Sequence, residues 1–142
     1  MTARRWPALN VDAFDRYWER AFADAPVPCL THQDLTGDHV LVDTDTPPRL
    51  VGIFDWGDAG MDDPSAEMPA LFLSLFNGDR TALRAFRDGY GDDGPMFAPG
   101  WQRRATLYLL ISPFSLDNSA KALGASLGDI HTPDDLEQAL WA

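Results

Sequence analysis

The chain has 142 residues, with 22 acidic against 11 basic side chains and a formal net charge of −11. This length predicts one domain spanning 1–142. The charge argues against partners held by phosphate neutralisation, namely nucleic acid and anionic membrane surfaces, and it attracts a cationic ligand.

Composition is that of a globular protein, with 45% apolar and 23% charged residues. No apolar run approaches the ~20 residues of a membrane helix. The basic start at Arg4 and Arg5 lacks the apolar stretch of a signal peptide. The single Cys29 excludes an internal disulfide and a multi-cysteine zinc site. A soluble, cytoplasmic protein is expected. Lys121 is the only lysine, and the Asp and Arg skew matches a GC-rich coding bias or salt adaptation as well as any function.

In chain order, Val11, Phe14, Tyr17, Trp18 and Phe22 recur at helical spacing and predict an amphipathic helix over 11–25, stopped by Pro26 and Pro28. The polar stretch 31–38 reads as a loop. Residues 40–42 and 50–54 read as two strands of an antiparallel hairpin, joined by a turn-rich connector over 43–49. Residues 55–60 form a loop. Asp63 followed by Pro64 reads as an N-cap with proline at the first helical position. The helix expected over 64–76 buries Met68, Leu71, Phe72, Leu75 and Phe76, with Pro69 kinking it or delaying its start. Further helices are expected at 80–88, 101–111, 117–123 and 133–141, the last capped by Thr132. The fold class is α+β, helix-dominated.

Three motifs carry possible chemistry. Gly89, Gly91 and Gly94 match G-x-G-x-x-G, but the pattern follows a helix, and Asp92 and Asp93 repel phosphate. A helix terminator is the better reading. Gly124, Ser126 and Gly128 match G-x-S-x-G, with Asp129 and His131 close by, yet no sheet is predicted to hold a nucleophile elbow. A loop between helices is expected there. The third motif is His32-x-Asp34, with His39 five residues after the aspartate, then strand, turn, strand and Asp55, Trp56, Gly57. Hairpin pairing sets position 39 opposite 54, so His39 and Asp55 leave the same end as neighbours, and Asp34 approaches that end through the loop. Such a constellation suits phosphoryl transfer, in which one Asp deprotonates a hydroxyl and another holds magnesium.

Residues 28–43, 50–60 and the Asp63, Pro64 pair together resemble the aminoglycoside phosphotransferase family, which shares the protein-kinase fold and includes choline and macrolide kinases. The likeness is tight over 28–72 and looser beyond. It implies the C-terminal lobe of a kinase-like fold, with a hairpin carrying catalytic loop and metal aspartate. By this resemblance Asp34 is the catalytic aspartate and Asp55 the magnesium ligand. His39 stands where most members carry a magnesium-binding Asn. Imidazole suits softer metals than magnesium, so His39 acts through a water or braces the loop. His32 is expected to hold the loop backbone, and Asp63 to cap a helix. Asp58 and Asp62 read as solvated loop charges. Gln33 replaces the family's usual Gly, a change expected only to reshape a turn.

The resemblance also implies ATP and Mg2+ as cofactors and a small-molecule acceptor, cationic if the acidity bears on it. A kinase-type fold takes its phosphate-holding lysine from an N-terminal lobe. No lysine precedes Asp34, and no cofactor-binding residue of that lobe is identifiable, so the lobe is expected to be absent. Kinase activity by this chain alone is expected to be little or none, and nucleotide binding is what separates the two readings that follow. Two readings stay open: a phosphotransferase domain that works when the missing lobe is supplied, and a truncated remnant or binding module that keeps the pocket without the reaction. An uncovered face around Val40, Ile53 and Trp56 is expected to favour self-association.

Overall fold

A computed structural model of the chain describes residues 11–24, 26–91, 94–112 and 130–142. The expected helix at 117–123, Lys121, the 124–128 motif with Ser126, Asp129, and the pair Asp92 and Asp93 lie outside the described residues. The rest is a helix-rich α+β arrangement with two small antiparallel sheets. No helix among the described residues is long and apolar enough to cross a membrane.

Helix α1 spans Val11–Ala21, shorter than its periodicity suggests. It buries Tyr17 and Ala21, with Phe14 and Phe22 packed alongside, while Trp18 is 43% exposed. The Tyr17 hydroxyl donates to Glu137 Oε2 at 2.8 Å, and burial pushes its pKa well above the usual value. Helix α2 is Arg80–Tyr90, capped by the Asp79 side chain on the Thr81 and Ala82 N–H groups. Gly89 lies inside α2, and Gly91 follows it at φ 93, so the glycine motif here ends a helix. Helix α3 spans Trp101–Ile111 and is buried on most sides, as befits a central helix. It packs on α1 and on the last helix, α4, Pro133–Trp141. Thr132 caps α4 as expected from sequence, and Asp135 returns the bond to complete a capping box.

The hairpin forms, with its second strand ending at Ile53, one residue short of the expected 50–54, and with Val42 paired to Leu50. Strand β2, Val40–Val42, and strand β3, Leu50–Ile53, pair with Val40 opposite Ile53 and Leu41 opposite Gly52; a bulge follows Leu41. Asp43 closes the connector by accepting from Arg49 N at 2.8 Å and Nε at 3.1 Å. At the other end the Phe54 N–H donates to the His39 carbonyl at 3.1 Å, setting 39 opposite 54. Val40 and Ile53 are half-buried; Leu41, Val42, Leu50, Val51 and Trp56 are exposed.

A second ribbon was not expected. Strand β1, Cys29–Thr31, pairs with strand β4, Gly60–Asp62, in the register Cys29 to Asp62 and Thr31 to Gly60. Three-residue strands lack the alternation that marks a strand in sequence. The 64–76 segment also differs from a single kinked helix. It is a 3-10 turn, Pro64–Glu67, followed by a π-helix, Ala70–Leu75. Pro69 has no N–H to return to the preceding turn, and the segment continues in a wider winding. Met68, Leu71, Phe72 and also Leu73 are buried; Leu75 and Phe76 are half-buried.

Asp63 caps the 3-10 turn, accepting from the N–H and hydroxyl of Ser65, both at 2.8 Å. Its other oxygen meets Arg104 Nε at 2.7 Å, where both side chains are more than nine-tenths buried. The contact is a close approach of charges rather than an aligned hydrogen bond. Arg104 Nη1 donates to the Pro99 carbonyl at 2.9 Å. Removing one partner of such a pair leaves a buried uncompensated charge, so Arg104→Met should cost about 3–5 kcal/mol in urea unfolding. Adding Asp63→Asn should recover part of that loss. A cost for Arg104→Met below ~1 kcal/mol would contradict this account.

Candidate functional site

The site forms where the hairpin meets the loop that leaves β1. His32, 3% exposed, donates from Nε2 to the Phe54 carbonyl at 2.9 Å, since a carbonyl can only accept. Its ring packs on Trp56 at 4.7 Å, and the Trp56 indole N–H donates to the Ile53 carbonyl at 3.1 Å. His32 thus ties the start of the loop to the end of β3.

Gln33 follows with φ 66, a left-handed conformation costing a side-chain-bearing residue of order 1–3 kcal/mol. Its N–H donates to Glu67 Oε1 at 2.9 Å. Glu67 is itself buried, with its second oxygen unpartnered among the described residues. Glu67 therefore holds the residue just before Asp34 and fixes the direction in which the loop leaves. The sequence reading missed this role. Its available signal was the only charge within the apolar stretch 66–76.

His39 is the centre of the charged group. Its Nδ1–H donates to the Asp34 carbonyl at 2.7 Å and lies 3.5 Å from Asp34 Oδ2. On the other side Nε2 lies 3.7 Å from Asp55 Oδ2. The three expected residues are brought together, with His39 between the two carboxylates. The bond to the Asp34 carbonyl raises the His39 pKa first, and the Asp34 and Asp55 charges add to it against partial burial. Asp55 sits at φ 62, ψ 59, beyond the end of β3, and its carboxylate projects over Gly57. Asp34 and Asp55 are 48% and 64% exposed, so both carboxylates remain open to a ligand.

Whether these groups fit magnesium turns on their donors. Among the described residues no three His, Cys, Asp or Glu side chains converge as a metal-binding group. Magnesium characteristically uses one or two carboxylates and completes its shell with water and phosphate oxygens. The exposed Asp55 carboxylate, which takes no hydrogen bond from a described side chain, fits that requirement. His39 fits it less well. Its Nδ1–H bond does leave Nε2 directed at Asp55, the arrangement in which an imidazole is oriented by a carbonyl.

A cavity of about 710 Å3 opens beside Asp34, bordered by Gln33, Asp58, Asp62 and Tyr108 and floored by Leu73 and Ile111. Asp62 is not a free loop charge, as the sequence reading had it. Its Oδ1 accepts from the Tyr108 hydroxyl at 2.9 Å and the Asp63 N–H at 2.7 Å. Burial and the bond to Asp62 hold the Tyr108 hydroxyl well above its usual pKa. Asp62 is a fixed carboxylate on the cavity wall. Tyr108 was missed because its partner is 46 residues away.

The sequence model of a family described as "Phosphotransferase enzyme family" matches residues 1–107. No curated protein and no solved structure matches the chain.

Because the folded pKa of His39 lies above its ordinary 6.5, its charged form contributes stability that is fully present below about pH 6.5 and lost as pH rises through the folded value. An NMR titration in EDTA should place the His39 midpoint above 6.5. Asp55→Asn should lower it only partly, because the Asp34 carbonyl still accepts from Nδ1. A midpoint at or below 6.5, or complete loss of the shift in Asp55→Asn, would contradict the geometry.

Proposed function

This chain belongs to the phosphotransferase enzyme family, and from that premise we propose that it performs the catalytic-loop half of a phosphoryl transfer from ATP to a hydroxyl of a small acceptor. In this reading it corresponds to the C-terminal lobe of a kinase-like fold. The observation that carries the reading is the placement of Asp34 and Asp55 at one hairpin end, each within 4 Å of His39, with Asp34 bordering a cavity large enough for a small molecule.

The roles follow from chemistry. The Asp34 carboxylate receives the proton of the acceptor hydroxyl as that oxygen bonds to the terminal phosphorus and the bond to the departing ADP oxygen breaks. His39, donating to the Asp34 carbonyl, holds the loop so that the carboxylate faces the cavity. Asp55, with His39 beside it, would hold magnesium, which when bound supplies charge neutralisation at the transferring phosphoryl group. His32 and Glu67 position the loop from either side of Gln33. Asp34, Asp58 and Asp62 border the cavity with no basic residue among its described lining, which favours a cationic acceptor.

Mg2+ and ATP together should raise the melting temperature by mass action, neither alone should do so, and Asp55→Asn should remove the shift. Any turnover of a polyhydroxylated amine should fall by ~100-fold or more in Asp34→Asn. An unmoved melting temperature with Mg2+ and ATP would favour a binding module. Turnover undiminished in Asp34→Asn would sink the assignment of the base.

A further inference from the structure

The hairpin carries more apolar surface than a two-stranded ribbon at a protein's edge has use for. Val40 pairs with Ile53 and Val42 with Leu50. Paired residues share a face, as do residues two apart on one strand. Val40, Val42, Val51 and Ile53 therefore lie on one face, and the bulge after Leu41 brings Leu50 onto it. That face is half-buried at its base, at Val40 and Ile53. Toward the connector it opens, and Val42, Leu50 and Val51 are 61%, 62% and 65% exposed. No third strand joins the ribbon among the described residues. A two-stranded ribbon is marginal in water unless its apolar face packs on something.

Size and charge decide what fits there. With Leu41, Phe54 and Trp56 around the face, the ribbon offers a partner at most roughly 600 Å2 of apolar residue surface. That falls below the ~800 Å2 a side of a standard stable interface and within the class of weak, reversible contacts. Residues 40–42 and 50–54 include no charged side chain, although the chain has a formal net charge of −11. Two copies repel through that charge, so the uncharged ribbon is where one copy can approach another. A valine, leucine and isoleucine face on an antiparallel ribbon is also its own complement. Turned about a two-fold axis, it stacks on itself as two sheets ~10 Å apart. We propose that the hairpin face formed by Val42, Leu50 and Val51 is a homodimer contact, covered by a second copy of this chain in a weak isologous dimer. Asp34, His39 and Asp55 take no part in the contact, so it stands or falls apart from the phosphoryl-transfer reading.

The test is sedimentation equilibrium of the full chain from about 1 to about 500 µM, with dimer dissociation expected in the range of about 10–100 µM. Raising the salt concentration should tighten the dimer, because it screens the like charges of the two copies. Val51→Lys and Leu50→Lys should each weaken association at least tenfold, although each lowers the net charge and so lessens repulsion. Their melting temperatures at low concentration should match wild type, since both side chains are exposed in the single chain. Trp18→Lys, at an exposed aromatic on α1, should dimerise as wild type does. A wild type that stays monomeric throughout would overturn the proposal and leave the face to a different polypeptide. Polydisperse aggregates in place of a dimer would overturn it as well, as would a dimer that salt weakens. So would a dimer lost in Trp18→Lys and kept in both hairpin variants. Lowered melting temperatures alongside lost association in both hairpin variants would assign Leu50 and Val51 to the fold itself and sink the contact.

Discussion

The arrangement of the site depends on two polar contacts made by consecutive residues. Asp62, which ends β4, and Asp63, which follows it, meet Tyr108 and Arg104, which stand one turn apart on α3. Residues four apart share one helix face, so a single face of α3 grips the end of the strand. Strand β4 pairs with β1, and β1 runs directly into His32, Gln33 and Asp34. The position of the Asp34 carboxylate relative to the helical body is thus set through one two-stranded ribbon. Buried polar pairs are weak contributors to net stability but strict about geometry, because a misplaced partner leaves a desolvated charge. That strictness suits a ribbon too short to specify its own position by apolar packing.

What could be read from the sequence depends on the range of the interactions. The hairpin is local: strand, turn and strand lie within 15 residues, and the pairing of 39 with 54 follows from strand period alone. The meeting of Asp34, His39 and Asp55 is a consequence of that pairing, which is why spacing alone suggested it. The caps Asp63 and Thr132 were equally open to reading, because each acts within three residues. The β1–β4 ribbon, the Glu67 bond to Gln33 and the grips of Arg104 and Tyr108 span from about 29 to 46 residues. No periodicity encodes such pairs. Asp62 was misread for this reason: an aspartate in a polar loop looks solvated until its distant tyrosine is known. The π-winding of Ala70–Leu75 was half legible, since Pro69 signals a break but not the type of winding beyond it.

Backbone strain is also unevenly placed. Three side-chain-bearing residues have positive φ among those described: Gln33, Asp55 and Asn77. Asn77 precedes Gly78 in a turn after the π-helix, where Asn tolerates this conformation readily. The other two carry or adjoin the open carboxylates beside His39. Each is held by neighbours rather than by its own preference. Gln33 has Glu67 on its N–H; Asp55 is fixed between Phe54, paired to His39, and the 3-10 turn that starts at Trp56. The strained pair needs the surrounding bonds to stay in place.

The hairpin itself shows where rigidity resides. Two short strands form a ribbon of marginal stability on their own, and Leu41, Val42, Leu50 and Val51 on it are exposed. Its base is different. There the His32 bond to the Phe54 carbonyl, the Trp56 bond to the Ile53 carbonyl and the contact between those two rings join ribbon to loop. Asp34, His39 and Asp55 occupy this anchored base, away from the connector at 43–49. Order in the site is therefore inherited from α3 through polar contacts, while the apolar core around Met68, Leu71 and Trp101 stabilises the helical body. A change in the core acts first on how long the fold persists; a change in the polar contacts acts first on where the carboxylates point.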